Sequence, residues 1–357
     1  MRSEPPVSRD DNPSILSVAT AVPRHRVSQG TARDFARMMF SESFKNVERL
    51  LPIFDNAHIQ NRHFCVPPEW FGEDHPFHEK NALYVENALD LSEKAAKRAL
   101  DKAGLEPEDV GAIFFVSTTG ISTPSLDSKL MFRLGLPEHT KRVPLWGLGC
   151  AGGAAGLARA ADHARAYPEN PVLLVAVELC GLTFVRGDRS KSNLVATSLF
   201  ADGAAAVLLG AGEGPDLLGS YSTTWPETED VMGWDVVEEG LRVRFARSVP
   251  QIVHEKMRGN LEAACDSIGL ALEDLRHFVL HPGGPKVLEA YEATLGLSPG
   301  GLDLSREVLR DYGNMSSVSV LFVLEQFLKD YPTGSCEHGT ISALGPGFSA
   351  EHVLFRC

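Results

Sequence analysis

The sequence predicts an α/β protein built from a duplicated strand–helix unit, and three observations carry that reading. Apolar runs of strand length alternate with helical patterns along the whole chain. GLEPEDVGAIFFVS, beginning at Gly104, returns 165 residues later as GLALEDLRHFVLHP from Gly269, with the apolar run in register. Tyr167-Pro168 returns 164 residues later as Tyr331-Pro332. Repeats at a fixed offset signal a duplicated architecture, and 357 residues suffice for two domains or one large duplicated unit. The expected halves are residues 1–225, carrying a candidate nucleophile, and 226–357, carrying its candidate partners.

Taken in order, Ile15 to Val22 is apolar with small residues and reads as a buried first strand. Thr31 to Phe54 carries helical patterning, and Pro67-Pro68 through His75-Pro76 reads as loop. His75 and His78 have the spacing of two metal ligands but no further ligands cluster with them, so no metal is expected. Asn81 to Gly104 is a long amphipathic helix ending on a glycine suited to the left-handed position. Gly111 to Val116 is a buried strand.

Val143 to Tyr167 (VPLWGLGCAGGAAGLARAADHARAY) reads as strand, tight turn and helix, with Cys150 on the turn. Pro171 to Val177 is a further strand, and Ser198 to Leu209 a turn into another. Gly210 to Asp230, rich in Gly, Pro and acid, is the best linker candidate. Beyond it, Pro250 to Ile268 is helical and His277 to Leu280 a strand ending in His281-Pro282-Gly283-Gly284-Pro285. Pro285 to Leu295 is helical. Gly313-Asn314-Met315-Ser316-Ser317 opens the apolar helix Val318 to Tyr331. Gly339 to Leu344, the loop Gly345-Pro346-Gly347 and a last strand finish the chain.

Composition narrows the function. The formal charge of −13 argues against a general nucleic-acid binder, which needs a basic face for phosphates. The start has no secretory signal and the apolar runs are far short of a membrane span. Six scattered cysteines with no CxxC pair read as reduced thiols. A cytoplasmic protein is expected.

The repeat also organises the chemistry. At the 164-residue offset Cys150 maps onto Asn314 and Gly149 onto Gly313, so matching turns of two packed halves would bring both groups together, with His281 at a strand end just upstream. A thiol at a helix N-terminus faces unpaired N–H groups and the positive end of the dipole, which favour thiolate. Cysteine forms a covalent thioester, histidine can pair with it as imidazolium, and an Asn amide with a histidine N–H can stabilise an oxyanion or enolate. Neither donor is an acid that would quench a carbanion, which suits carbon–carbon bond formation better than hydrolysis. Each residue also has a bland reading: a buried packing cysteine, a core histidine, a helix-capping asparagine.

WGLGCAGG, LFADGAAAV, HPGGP, YGNMSS and ALGPGF, in this order, resemble the type III polyketide synthases, the chalcone-synthase-like branch of the thiolase fold. The resemblance runs from about Ile15 to Phe355. It implies a homodimer of five-layered αβαβα architecture that uses acyl-CoA and malonyl-CoA and no metal or organic cofactor. By motif, Cys150 would take the starter acyl group, and His281 and Asn314 would assist malonyl-CoA decarboxylation. Phe200 matches the gatekeeper between CoA tunnel and cavity. Thr118, Thr119, Cys180, Thr183, Val243 and Ser316 fall where the product cavity is shaped, and Gly345, Pro346 and Gly347 at its floor. Thr123 aligns with the residue that reaches across the dimer interface.

The chain also departs from the plant pattern. In the segment that grips CoA phosphates, Arg49 fits, but Pro52 and Asn56 stand where cations are expected. Leu344 replaces an aromatic residue. Cys180 replaces threonine, as a cavity-lining thiol or a packing residue. Val243 is smaller than the aromatic residue expected there, leaving room for a bulky or long starter. The reading is an iterative condensing enzyme with a fatty acyl starter and an alkylpyrone or alkylresorcinol product. The alternatives are a single-round ketoacyl synthase, a Cys–His–Asn hydrolase and an inactive binding module on the same fold.

Overall fold

The computed structural model describes residues 12–357 apart from 42, 43, 45, 247, 331–333 and 335. Its strands are β1 (Ser14–Ala21), β2 (His25–Ser28), β3 (Asn61–Phe64), β4 (Ala112–Val116), β5 (Lys141–Leu145), β6 (Val172–Leu179), β7 (Asp202–Gly210), β8 (Asp216–Thr224), β9 (Met232–Val237), β10 (Gly240–Phe245), β11 (Leu275–Leu280), β12 (His338–Gly345) and β13 (Ser349–Arg356). The helices are α1 (Gln29–Phe40), α2 (Pro52–Asp55), α3 (Phe77–Ala103), α4 (Leu126–Leu134), α5 (Gly152–Ala166), α6 (Lys191–Leu199), α7 (Val249–Asp266), α8 (Pro285–Leu295), α9 (Asp303–Tyr312) and α10 (Ser319–Asp330).

Nine strands form one sheet in the order β11-β12-β13-β8-β1-β7-β6-β4-β5. Its middle is thin, because β1 and β8 share only the register pair Ser14 and Asp216. On one side β4 and β6 are parallel while β6–β7 and β7–β1 are antiparallel. On the other, β11 and β12 are parallel while β12–β13 and β13–β8 are antiparallel. The halves therefore repeat one topology, β4, β6, β7 and β1 answering to β11, β12, β13 and β8. The repeat extends to detail. The short turns Pro107–Asp109 and Leu272–Asp274 each close with an aspartate accepting from the backbone three residues before it, Asp109 from Glu106 at 2.9 Å and Asp274 from Ala271 at 2.8 Å.

Burial explains the layers. Every residue of β4, β6 and β7 is buried, as in strands covered on both faces, which read as continuous apolar runs. One face packs on α3 and α4. The other packs, together with the inner face of the second half-sheet, around the central helices α5 and α10. Helices α7, α8 and α9 cover the second half-sheet from outside. The five layers expected from the resemblance are thus α3/α4, half-sheet, α5/α10, half-sheet, α7/α8/α9. Long α3 stops as its glycine predicts, with Gly104 in the left-handed region at φ 65°.

Three sequence expectations change. The proposed linker, 210–230, contains β8, which pairs along its length with β13. The Gly- and Pro-rich portion ends at 215, and DLLGSYSTT, whose Ser and Thr suggest loop, forms a half-buried strand. The helix expected over Thr31–Phe54 ends at Phe40, and a new one starts at Pro52, whose ring suits a first helical position. Third, the repeat slips at the functional turns. A turn at Gly149–Ala151 leads into α5 and one at Ser316–Val318 into α10, so Ser317 is the topological counterpart of Cys150 and Asn314 precedes it. Tyr331 and Pro332 lie outside the described residues. Helices α4, α6 and α9 and the β9–β10 hairpin were not anticipated.

The central helices cross where Gly153 faces Ser317. A Cβ at Gly153 would lie 2.1 Å from the Ser317 carbonyl oxygen and 2.8 Å from Val320, whereas one at Gly187 would meet nothing within 4 Å. Gly153→Ala is expected to cost ~1–3 kcal/mol by urea unfolding, with Gly187→Ala as the neutral control.

Candidate active site

Cys150 sits in the tight turn before α5, where Gly149 adopts φ 48° and supplies the backbone freedom the turn requires. The turn is wedged from two sides. Thr118 Oγ1, at the end of β4, accepts from the Gly149 N–H at 3.2 Å. A Cβ on Gly149 would lie 2.7 Å from Pro346, and one on Gly345 2.5 Å from the Leu148 carbonyl. Gly345, Pro346 and Gly347 thus form a floor pressed against the cysteine turn, and Leu344 points into the core behind it.

A chain of contacts joins Cys150 to the second half. The Ser316 side chain lies beside the thiol and favours its ionised form. The Ser316 N–H donates to Asn314 Oδ1 at 2.8 Å, and Asn314 Nδ2 donates to the Gly283 carbonyl at 3.1 Å. A Cβ on Gly283 would be 3.7 Å from His281 Nε2. Cys150, Asn314 and His281 are thus linked through Ser316 and Gly283, and all three are buried. Asn314 is fixed by its own backbone, its N–H donating to Leu199 and its carbonyl accepting from Ala201, at 2.8 and 2.9 Å. Among the described residues neither ring nitrogen of His281 has a protein hydrogen-bond partner.

Electrostatics revises one expectation. Burial pushes the Cys150 thiol up to about 12 and the His281 imidazole down to about 4. Desolvation therefore outweighs the turn's N–H groups, and each group taken alone is neutral at pH 7. A neutral imidazole still offers an N–H to an oxyanion without supplying an acidic proton.

The cavity residues fall on two sides. Thr118 and Thr119 follow β4. Cys180 and Phe200 pack with Ala196, and Val243 on β10 leans on that cluster with Trp234 and Phe245. Cys180 is buried in that cluster, and Thr183 donates to its carbonyl at 2.8 Å. The Phe200 ring lies 5.7 Å from Phe245 and 6.2 Å from Trp234, centroid to centroid. Arg49 and Thr123 are exposed, away from this cluster. His75 stacks on Trp70 and bonds its carbonyl, and no cluster of three potential metal ligands occurs among the described residues.

One central residue escaped the sequence reading. Glu178, at the end of β6, accepts from the Thr118 N–H and Thr119 Oγ1, both at 2.9 Å, and from Ser317 Oγ at 2.7 Å. It ties the two halves together beside Cys150, and burial raises its carboxyl to about 7. Its only sequence signal was one acid in the otherwise apolar run PVLLVAVEL.

Comparison with known proteins identifies the family. Residues 7–213 match the N-terminal domain of chalcone and stilbene synthases, and residues 216–357 match their C-terminal domain. The chain belongs to the chalcone and stilbene synthase family. It is a type III polyketide synthase, hence an acyltransferase that condenses malonyl-CoA. It is 44% identical to a putative chalcone synthase of Bacillus subtilis, over 96% of this chain and 98% of the relative. It is 38% identical to a 1,3,6,8-tetrahydroxynaphthalene synthase of Streptomyces peucetius, over 97% and 94%. The crystal structure of the Streptomyces coelicolor 1,3,6,8-tetrahydroxynaphthalene synthase superposes with a TM-score of 0.92 at 30% identity, covering 96% of this chain and 99% of that one. Among the described residues no helix is long and apolar enough to cross a membrane.

Glu178 gives the synthase a pH signature. Its folded-state carboxyl, near 7 against an ordinary 4.5, contributes stability that is complete below pH 4.5 and lost as pH rises through 7. Glu178→Gln removes the charge, so its stability advantage over the native enzyme should grow from pH 5 to pH 8 by up to about 3 kcal/mol. Paired urea titrations at the two pH values read this directly.

Proposed function

We propose that this synthase loads a fatty acyl group from acyl-CoA onto Cys150, extends it with malonyl units and closes the chain to an alkylpyrone or alkylresorcinol. The carrying observation is an apolar cavity beside Phe200, Cys180 and Val243, walled by Phe35, Phe64, Phe71 and Phe184. Phe71 makes edge contacts with the other three rings at 5.3–6.2 Å. A chain of methylenes gains by leaving water for such a lining, ~0.8 kcal/mol for each. The small Val243 side chain leaves the approach open.

In this reading Cys150 attacks the starter thioester, its proton passes to His281, and CoA leaves as the thiol. Malonyl-CoA then loses carbon dioxide. The electron pair of the broken carbon–carbon bond becomes an enolate, whose oxygen accepts from His281 Nε2 and Asn314 Nδ2. The enolate carbon attacks the Cys150 thioester, the cysteine departs as thiolate, and the lengthened CoA ester reloads the cysteine for another round. Phe200 gates the passage, and Thr118, Thr119, Thr183, Cys180 and Ser316 shape the space in which the chain folds. Arg49 would meet a CoA phosphate. CoA thioesters are the substrates, with no metal or organic cofactor required, and the enzyme is cytoplasmic.

A second reading, in which malonyl-CoA is also the starter, is favoured by the similarity to tetrahydroxynaphthalene synthases. The starter decides between them. Purified enzyme with malonyl-CoA should convert long straight-chain acyl-CoA in preference to acetyl or aromatic starters; product from malonyl-CoA alone, at an undiminished rate, supports the second reading. Cys150→Ala should abolish extension. His281→Ala and Asn314→Ala should each slow decarboxylation by ~10²–10³-fold, seen as carbon dioxide release.

We also propose a homodimer through the face around β5, the sheet's edge strand. Ile121, Phe132 and Trp146 are large, apolar and exposed there, at 45, 68 and 55%, and such a patch marks an association surface. Thr123 lies in the same loop. Phe132→Asp with Trp146→Asp should convert the dimer to a monomer by sedimentation; an unchanged mass would refute this interface.

A further inference from the structure

One buried cation touches both Phe200 and the residue before Asn314. Arg62, on β3, is 2% exposed. Its Nη1 donates to the carbonyls of Thr197 at 2.7 Å and Phe200 at 2.9 Å, at the C-terminal end of α6, where a positive charge complements the helix dipole. The stem reaches the other group. A Cβ on Gly313 would lie 2.8 Å from Arg62 Cγ, so the arginine packs against the residue preceding Asn314.

The two elements are already stitched by the Asn314-to-Leu199 and Ala201-to-Asn314 backbone bonds. Arg62 thus clamps the chain on which both are carried. The balancing charge is Asp202, whose carboxylate accepts from the N–H groups of Cys65 at 2.9 Å and Gly181 at 2.7 Å and attracts the guanidinium without an ion-pair contact. A buried cation is costly, and apolar residues of similar volume often replace buried charges without loss of stability. Here the donors meet two carbonyls that an apolar side chain would leave unpaired. Arg62 also lines the aromatic-walled cavity proposed for the starter.

We propose that Arg62 is a positioning residue for starter selection, fixing through the Phe200 carbonyl how wide the passage between Cys150 and the apolar cavity stands. It touches no reacting atom and acts through Phe200. The inference rests on the polyketide synthase reading with an acyl starter.

The test uses Arg62→Lys, which keeps a cation opposite Asp202 but loses the planar guanidinium whose Nη1 bridges the two carbonyls, with Arg62→Gln as a second variant. Each is made alone and combined with Phe200→Ala. Intact-mass detection of acyl-Cys150 and circular dichroism report loading and fold. The decisive readout is the ratio of kcat/KM for long against short acyl-CoA starters. Arg62→Lys should still form acyl-Cys150, seen by intact mass, and shift that ratio about tenfold. In the Phe200→Ala background, adding it should shift the ratio no further, because residues acting through one another are not additive. An unchanged ratio overturns the proposal, as does an equal shift in both backgrounds. Loss of fold in both variants also overturns it, since Arg62 would then be a folding residue. Native enzyme that makes no malonyl-derived product from any starter would instead overturn the function reading.

Discussion

The two halves of this synthase approach each other at backbone contact, and the active site depends on that approach. Gly153, one turn past the nucleophile, has no room for a Cβ against the Ser317 carbonyl, and Gly152 would meet Ser317 Cβ at 3.1 Å. With the turns this close, Ser316 lies beside the thiol and the Ser317 hydroxyl donates to Glu178. The central layer is therefore more than packing. It brings the turn that carries Cys150 in one half against the Ser316–Ser317 turn of the other.

Desolvation is the second consequence of the approach. The same dry environment raises Cys150, Glu178 and Asp202 and lowers His281, which means that it disfavours every bare charge placed in it. A malonyl carboxylate entering such a site shares that disfavour and sheds its charge by leaving as carbon dioxide. The negative charge moves to an enolate oxygen, where fixed donors are worth more than in water. In the proposed reaction a neutral His281 would suit that task, offering a hydrogen bond without a proton acidic enough to quench the carbanion.

Much of this was legible from residue patterns, for definable reasons. β4, β6 and β7 are covered on both faces, so their sequences are unbroken apolar runs that announce themselves. The long α3 shows a periodic face and a terminal glycine. β8 was hidden because a half-buried strand of Ser, Thr and Gly has the composition of a loop, and its identity comes from pairing with β13. α6 was hidden because LVATSL has little amphipathic contrast. At the site, Cys150, His281 and Asn314 stood out as chemical side chains at turns. Glu178 and Arg62 did not, because each lies in a strand with no local motif and gains its meaning from partners more than 130 residues away in one or more contacts.

Sequence alone determined the duplicated strand–helix unit, the residue types at its turns and the family motifs, all of which are local patterns that survive without coordinates. Only the tertiary structure decided which residues oppose one another. It shifted the counterpart of Cys150 from Asn314 to Ser317, made the resting thiol and imidazole neutral, and buried Arg62 beneath Phe200. The physical reason is common to all three. Register between halves and the loss of water around a group are properties of packing, and packing joins segments whose order along the chain carries no record of their distance.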